Sequence, residues 1–315
     1  MRKDLGWKGY FSDDERYADV INGIGCKGRQ VVKKEDLQEL DTQTGFVHGP
    51  GFIWRFSVWK KRIAMIRDCV RRVAFGINFA IIGLENQETI DYAIPLRNMS
   101  YDVDAYERQA ARIRKDVRKN RKGLSAGEYL YGFRRDSRLY PAVTFILYSG
   151  SEPWNGPRTL HEMIDFTDIP KELREMVADY KINVIEIRKL EDTSVFRTDV
   201  RQVFDFIRCS GDKKALKELV EKDDYYKNMD EDAFDVAVQY TNATELIEAK
   251  EYFEEGGRVN MCQALTELIA DGRQEGVIEG RREERIYTER ERQRADAAEA
   301  EVARLREELK RLKEK

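Results

Sequence analysis

Residues 79–87 read FAIIGLENQ, an apolar run that ends in three polar residues. The apolar part, broken only by one glycine, predicts a buried β-strand over residues 77–87. A preceding strand is predicted over residues 62–73, and the loop-forming residues between the two predict a hairpin. This hairpin carries one acid in each strand, Asp68 and Glu85, which lie seventeen positions apart.

The two acids predict a metal site at the edge of a sheet. Carboxylates are hard oxygen ligands of the kind Mg²⁺ prefers, and a bound metal lowers the pKa of an attacking water. We expect one oxygen each from Asp68 and Glu85, and a third ligand from the carbonyl of Asn86. Gln87 shares the strand face of Glu85, so its amide can orient the water but cannot take its proton. The alternative is structural, with Asp68 capping a strand end and Glu85 paired with an arginine.

Local charge favours a polyanionic ligand, although the net charge of −3 does not. Residues 55–72 carry seven Lys or Arg and one acid, and residues 97–140 carry twelve Lys or Arg and six acids. The two basic runs flank the acid pair, and a basic lining around an acidic metal site is typical of a site for a polyanion. The alternative is that each run is a solvated face.

The wider pattern predicts one α/β core followed by helices. A capping box starts a helix at Ser12, and a short extended segment falls within residues 29–41. After the hairpin, Asp102 is the expected N-cap of a helix, and residues 140–148 form a buried strand. The predicted order is therefore helix, three strands, helix, strand.

Three regions follow from this order. Residues 1–190 form the α/β domain, residues 191–271 a helical region, and residues 272–315 a Gly/Glu/Arg linker with a coiled-coil helix. The coiled coil is predicted from apolar residues that alternate spacings of three and four, which is a heptad seam. The seam consists of Ala295, Ala298, Val302, Leu305, Leu309 and Leu312. We expect it to join copies of the chain into a homo-oligomer, the alternative being a single solvated helix.

The chain also predicts a cytoplasmic location without a membrane partner. Its start lacks the apolar segment of a secretory signal, and no apolar run approaches the ~20 residues of a membrane span. Four scattered cysteines and two histidines do not have the spacings of a zinc site. In a cytoplasmic protein we expect these cysteines to be reduced thiols.

Several segments together resemble one known family, the Rpn recombination-promoting nucleases, also labelled transposases or YhgA-like proteins. The segments are RD (67–68), AIIGLENQ (80–87), PLRNMSYD (95–102), YFSD (10–13), RYAD (16–19) with Asn22, and EDL (35–37). With the Gly/Glu/Arg tail, the similarity covers most of residues 10–285.

The resemblance implies a restriction-endonuclease-like core of the PD-(D/E)xK superfamily and a DNA endonuclease that uses Mg²⁺ or Mn²⁺. Asp68 and Glu85 match the metal-binding acids. The wider superfamily has lysine where this chain, like the Rpn family, has Gln87. No third acid stands out that would complete a transposase triad.

Arg97, Gln109 and Arg112 are the residues expected to contact DNA. Arg97 follows the predicted catalytic strand, where it can meet a phosphate. The competing interpretation of Arg97 is a surface ion pair. Gln109 is expected to point towards the site.

Two other classes of function stay open. Gln87 in place of lysine is compatible with a protein that keeps the nuclease fold but only binds DNA or scaffolds a complex. Residues 221–255 carry three basic residues and twelve acids, which is compatible with a helical oligomerisation protein that recruits a protein partner without binding DNA.

Overall fold

A computed structural model describes residues 2–39, 43–44, 65–66, 69–75, 78–240, 246–247 and 250–313 of the protein. The described part is a mixed α/β structure with a long C-terminal helix. Its helices are α1 (Arg2–Tyr10), α2 (Asp14–Val20), α3 (Ile94–Lys119), α4 (Ala126–Tyr131), α5 (Lys171–Met176), α6 (Val200–Cys209), α7 (Lys213–Lys222), α8 (Glu231–Val238), α9 (Lys250–Phe253) and α10 (Met261–Lys313). Its strands are β1 (Leu37–Glu39), β2 (Gln43–Thr44), β3 (Met65–Ile66), β4 (Cys69–Phe75), β5 (Asn78–Gln87), β6 (Ala142–Tyr148), β7 (Asn183–Glu186), β8 (Met229–Asp230), β9 (Glu254–Glu255) and β10 (Arg258–Val259).

The main sheet has five strands in the order β1-β4-β5-β6-β7. The predicted hairpin is confirmed, because β4 and β5 pair antiparallel from Cys69–Leu84 to Phe75–Asn78. On its other side β5 pairs parallel with β6, and β6 pairs parallel with β7. Of the strand predicted over residues 62–73, the structure describes Met65–Ile66 as β3, which pairs with β2, and residues 69–73 as part of β4, which continues to Phe75. The other residues of that prediction lie outside the described residues.

Helices cover both faces of this sheet. Successive residues of a strand point to opposite faces, so they join two different clusters. Phe145 and Leu147 of β6 join Leu84 in the main core, which also contains aromatic residues of α1, α2 and α6. Ile146 and Tyr148 face the other way and form a second cluster with Ile94, Trp154 and Ile182. Both faces of β6 are therefore buried, which explains its continuous apolar sequence.

Two helices start where the sequence pattern did not place them. The N-cap of α2 is Asp13, whose carboxylate accepts two backbone N–H bonds of the first turn, whereas the Ser12 hydroxyl donates to a carbonyl of the preceding turn. Helix α3 begins at Ile94, eight residues before the predicted cap Asp102. Pro95 lies in its first turn, where the fixed φ favours a helix and a backbone N–H is not needed.

The C-terminal half differs from the prediction in two ways. Strands β8, β10 and β9 form a small antiparallel sheet where only helices were expected. The Gly/Glu/Arg run predicted as a linker lies inside α10, which is continuous over 53 residues. None of the helices in the described ranges is both long and apolar enough to cross a membrane.

Residues on both sides of position 190 share one core. The main cluster contains Trp7 and Phe11 of the N-terminal region together with Phe204 and Phe234 of the helical region. Trp7 stacks on Phe11 with ring centroids 5.1 Å apart and meets Phe204 edge-on at 6.4 Å. The helical region is thus packed on the α/β region and does not form a separate core.

A buried ion pair reinforces this packing. Arg16 of α2 donates two hydrogen bonds of 2.8 Å to the carboxylate of Asp199, just before α6. The Tyr10 and Tyr225 hydroxyls donate to the same carboxylate at 3.1 and 2.8 Å. Burial, followed by the nearby Asp199 charge, raises the pKa of both tyrosines, so both stay protonated as donors. Arg16 also contacts Asp232, so three parts of the chain meet at this guanidinium.

We expect Asp199→Asn to lower the free energy of unfolding by about 3 kcal/mol, because it leaves a buried guanidinium without its two-bond partner. Urea unfolding of the variant measures this decrease. Glu218→Gln is the control, since Glu218 pairs with Lys214 on an exposed face of α7 and its removal should cost less than about 1 kcal/mol. Equal, small decreases in both variants would show that the buried pair does not hold the two regions together.

Candidate functional site

The candidate site lies at the carboxyl end of β5, where the antiparallel and parallel parts of the sheet meet. Cys69 pairs with Leu84 across the hairpin. Asp68 directly precedes Cys69 in the sequence, and Glu85 directly follows Leu84. Asp68 lies outside the described residues, and of Glu85 the structure describes the backbone, which is in register with Ile146 of β6. The structure therefore defines the backbone pairing of Cys69 with Leu84, the two residues adjacent in sequence to the acids.

Asn86 and Gln87 lie on opposite faces of β5. Asn86 is in register with Leu147, on the face that packs into the main core. Gln87 is in register with Tyr148, on the face covered by α3, and its side chain is half-buried. A site that contains the Gln87 amide can therefore take the backbone carbonyl of Asn86 but not its side chain. The Gln87 carbonyl accepts a 3.0 Å hydrogen bond from the backbone of Ser149, which fixes the end of the strand.

A polar network on the α3 face was missed by the sequence analysis. Asn98 donates to the Tyr180 hydroxyl at 2.6 Å, and that hydroxyl donates to Asp102 at 2.6 Å. Thr144 donates to the other oxygen of Asp102 at 3.4 Å. Thr144 is in register with Gly83, so the network lies two residues along the strands from position 85. The spacing of Asn98 and Asp102, one helical turn, is the signal that would have indicated a shared helix face.

Arg97 forms an ion pair, as the competing interpretation of this residue expects. Its guanidinium forms a 2.9 Å ion pair with Asp91, and the side chain is half-buried in the first turn of α3. Asp91 also accepts a 2.8 Å bond from the backbone of Ala93. Arg97 therefore orders the connection from β5 into α3, beside the candidate site.

The structure does not bring Gln109 to the candidate site. Its amide donates to the Tyr140 carbonyl at 3.1 Å and accepts from the Tyr140 N–H at 2.7 Å. Tyr140 precedes β6, whose first residue pairs with Ile81 of β5. Gln109 therefore holds the opposite end of the parallel strands, roughly 20 Å from Gln87 at about 3.3 Å per residue.

Arg112 is also distant from the end of β5. It is exposed on α3, eighteen residues after Ile94. At 1.5 Å per residue, this is ~27 Å along the helix. Arg112 belongs to a different surface from Gln87.

The donor set predicted for a metal is two carboxylates and one carbonyl. Within the described ranges, no three His, Cys, Asp or Glu residues come together as a metal site. The strand pairing is compatible with this donor set. Cys69 and Leu84 pair with each other, and each is adjacent in sequence to one of the two acids. These hard oxygen donors suit Mg²⁺ or Mn²⁺ and not a softer metal.

Comparisons with protein-family models, with curated proteins and with solved structures find no match for this chain.

The Tyr180 hydroxyl is expected to stabilise the α3 face of the site. Tyr180→Phe removes one donor and one acceptor and leaves the Asn98 amide and the Asp102 carboxylate without this partner. We expect the free energy of unfolding to fall by about 1–3 kcal/mol, measured by urea unfolding. Tyr129→Phe, at an exposed hydroxyl, is the matched control and should be neutral. An effect no larger than that of the control would contradict a structural role for the network.

Proposed function

We propose that this protein is a metal-dependent DNA endonuclease with a restriction-endonuclease-like core. The proposal is carried by the pairing of Cys69 with Leu84, the residues adjacent in sequence to Asp68 and Glu85. The order of elements supports it: α2, then β1, β4 and β5 joined antiparallel, then α3 and the parallel β6. This is the order that the resemblance to the Rpn nucleases implies.

Each residue of the candidate site has a separate task in this proposal. The carboxylates of Asp68 and Glu85 and the carbonyl of Asn86 would hold Mg²⁺ or Mn²⁺. The metal, when bound, would polarise a phosphodiester oxygen and lower the pKa of its water. The Gln87 amide would hold and orient that water through its N–H or C=O group. Because an amide is not a base, the proton must leave to solvent or to a phosphate oxygen.

Gln87 also supports the second candidate function, a nuclease-fold protein that binds DNA or scaffolds a complex without cutting. A lysine at this position would add a positive charge beside the phosphate, whereas glutamine adds none. The half-buried Gln87 has the same place on β5 in both candidates, so only catalysis distinguishes them.

The test is cleavage of supercoiled plasmid with Mg²⁺, Mn²⁺ or EDTA by the wild type, Asp68→Asn and Glu85→Gln. We expect metal-dependent cutting that falls by ~100-fold or more in each variant, because each carboxylate contributes charge that holds the metal. Glu88→Gln, which removes the next acid along the chain, is the control and should cut like the wild type. Equal cutting by all four proteins would identify a contaminant and overturn the proposal.

A further variant separates the two candidate functions. If the wild type binds DNA without cutting it, the endonuclease proposal fails and the binding protein is favoured. Gln87→Lys then tests why the wild type does not cut. Metal-dependent cutting by this variant would show that the lack of a lysine at position 87 is sufficient to make the site inactive.

We further propose that α10 joins two copies of the chain. Val302 and Leu305, two members of the heptad seam, are 47% and 50% exposed, and both lie on the continuous C-terminal helix. A second copy is the natural cover for this seam, because parallel heptads of two chains bury each other. Two joined copies would bring two sites to one duplex, one for each strand. We place this activity in the cytoplasm and on DNA that undergoes recombination or mobilisation.

The pair of changes Val302→Glu and Leu305→Glu should convert a dimer to a monomer, because two like charges would face their copies in the seam. Sedimentation equilibrium measures the mass of both proteins. Arg304→Glu, on the exposed face between them, is the matched control and should stay dimeric. A wild-type monomer at micromolar concentration would contradict the proposed assembly.

A further inference from the structure

A dense concentration of positive charge lies away from the candidate site, on a surface we call the basic arm. The basic arm comprises residues 108–138, which include the second half of α3 and all of α4. It contains eleven Lys or Arg and three acids. Its centre near Arg118 lies 24 residues after Ile94, which is ~36 Å along α3 from the start of that helix.

Few of these cations have a carboxylate partner. Arg108 pairs with Asp104 at 2.8 Å and Arg114 with Glu107 at 3.4 Å. The other nine form no ion pair with a carboxylate of the described residues; they are Arg112, Lys115, Arg118, Lys119, Arg121, Lys122, Arg134, Arg135 and Arg138. A concentration of cations that is not neutralised locally raises the positive potential of the surface and attracts a polyanion.

The single acid of α4 is already committed to the fold. The Glu128 carboxylate accepts hydrogen bonds from the backbone of Ser125, the hydroxyl of Ser125 and the backbone of Arg135. These bonds lower the pKa of Glu128 to about 2 and keep it ionised. They also tie the segment that carries Arg134 and Arg135 back onto the start of α4.

Two shallow clefts adjoin on the basic arm. The first has a volume of about 400 Å³ and is lined by Ala111, Arg114, Lys115, Arg118 and Lys119. The second, of about 530 Å³, is lined by Tyr131, Phe133, Arg134 and Arg135 together with three residues of α4 and its cap. The Arg114 guanidinium lies over the Phe133 ring, 5.5 Å from its centroid, and so joins the two clefts.

Gly132 joins α4 to the segment that lines the second cleft. It ends α4 in the left-handed conformation with φ +67°, which a residue with a side chain rarely adopts. A Cβ here would meet the Arg114 side chain at 3.2 Å. The close approach lets the chain turn directly after Tyr131 and lay Phe133 against Arg114.

Exposed aromatic rings accompany the cations. Tyr131 is 73% exposed at the second cleft, and Tyr129 is 60% exposed with the Arg121 guanidinium 5.5 Å from its ring centroid. Cations that follow a phosphate backbone, next to rings on which bases can stack, are the combination used to bind single strands. In a duplex the bases are stacked inside and do not present their faces to such rings. Acidic proteins would use the cations but not the rings.

We propose that the basic arm binds a single-stranded segment of DNA. The cations of the first cleft hold consecutive phosphates, and Tyr131 with Phe133 accepts a base in the second. The choice of DNA rests on the proposed endonuclease function, whereas the binding itself does not require catalysis. The arm would hold a strand well away from the end of β5, so that a substrate with an unpaired segment is positioned for cutting.

The test is fluorescence anisotropy of a labelled oligo-dT 20-mer with the full-length protein in EDTA, where no metal-dependent cutting occurs. Reversal of Arg118 and Lys119 to glutamate should weaken binding and flatten its salt dependence, by about 0.7 in log–log slope for each phosphate that the variant no longer neutralises. Tyr131→Ala should weaken binding about 5- to 150-fold, the range that corresponds to stacking of one base. Reversal of Lys213 and Lys214, two exposed lysines at the start of α7, is the charge-matched control and should leave binding unchanged.

Five outcomes would overturn the proposal. These are no binding of the oligonucleotide, binding that the reversal of Arg118 and Lys119 leaves unchanged, equal weakening by both pairs of reversals, tighter binding of a 20-base-pair duplex with no effect of Tyr131→Ala, and equal competition by polyglutamate. Glu85→Gln, included in the same experiment, should bind like the wild type. Failure of plasmid cutting with binding retained overturns the endonuclease but not the arm, whereas cutting with binding unaffected by Arg118 and Lys119 overturns the arm alone.

Discussion

The structure depends on the pairing of β5 with a strand on each side. Its antiparallel partner β4 and its parallel partner β6 occupy different edges, so every residue between Ile81 and Leu84 has a strand on each side. Leu84 is fully buried in the main core, and the residues of its parallel partner β6 alternate between this core and the α3 face. This constraint fixes the register, because a shift of one residue would exchange the two faces. It also determines that positions 85 and 87 fall at the end of the sheet, beside the start of α3.

The parts that sequence reasoning recovered are those with local signals of their own. The apolar run of β5 and the hairpin are periodic features, and the helix over the seam residues follows from their alternating spacings of three and four. The start of α3 was missed because its anchor, Ile94, is buried by tertiary contacts with Ile146 that no local pattern encodes. The role of Gln109 was missed for a similar reason, since its partner Tyr140 lies 31 residues later. Gly272, Gly276 and Gly280 suggested a linker, but single glycines are tolerated in a long helix at a cost of about 1 kcal/mol each.

The molecule separates its charged groups by function. The Arg16–Asp199 pair is buried and joins the N-terminal helices to the helical region. The Arg97–Asp91 pair orders the turn from β5 into α3. The cations of the basic arm, in contrast, are mostly exposed, and nine of the eleven form no ion pair with a carboxylate of the described residues. The buried Arg16–Asp199 pair stabilises the packing of two parts of the chain. The cations of the basic arm instead give its surface a positive potential that can attract a ligand.

Metal binding by Asp68 and Glu85 can be measured without DNA, by electron paramagnetic resonance of free Mn²⁺ titrated with the wild type, Asp68→Asn and Glu85→Gln. If the two acids form one metal site, the wild type takes up Mn²⁺ and each isosteric change weakens this uptake, whatever Gln87 permits in catalysis. Uptake that is the same in all three proteins, or absent from the wild type, would show that Asp68 and Glu85 do not form a metal site.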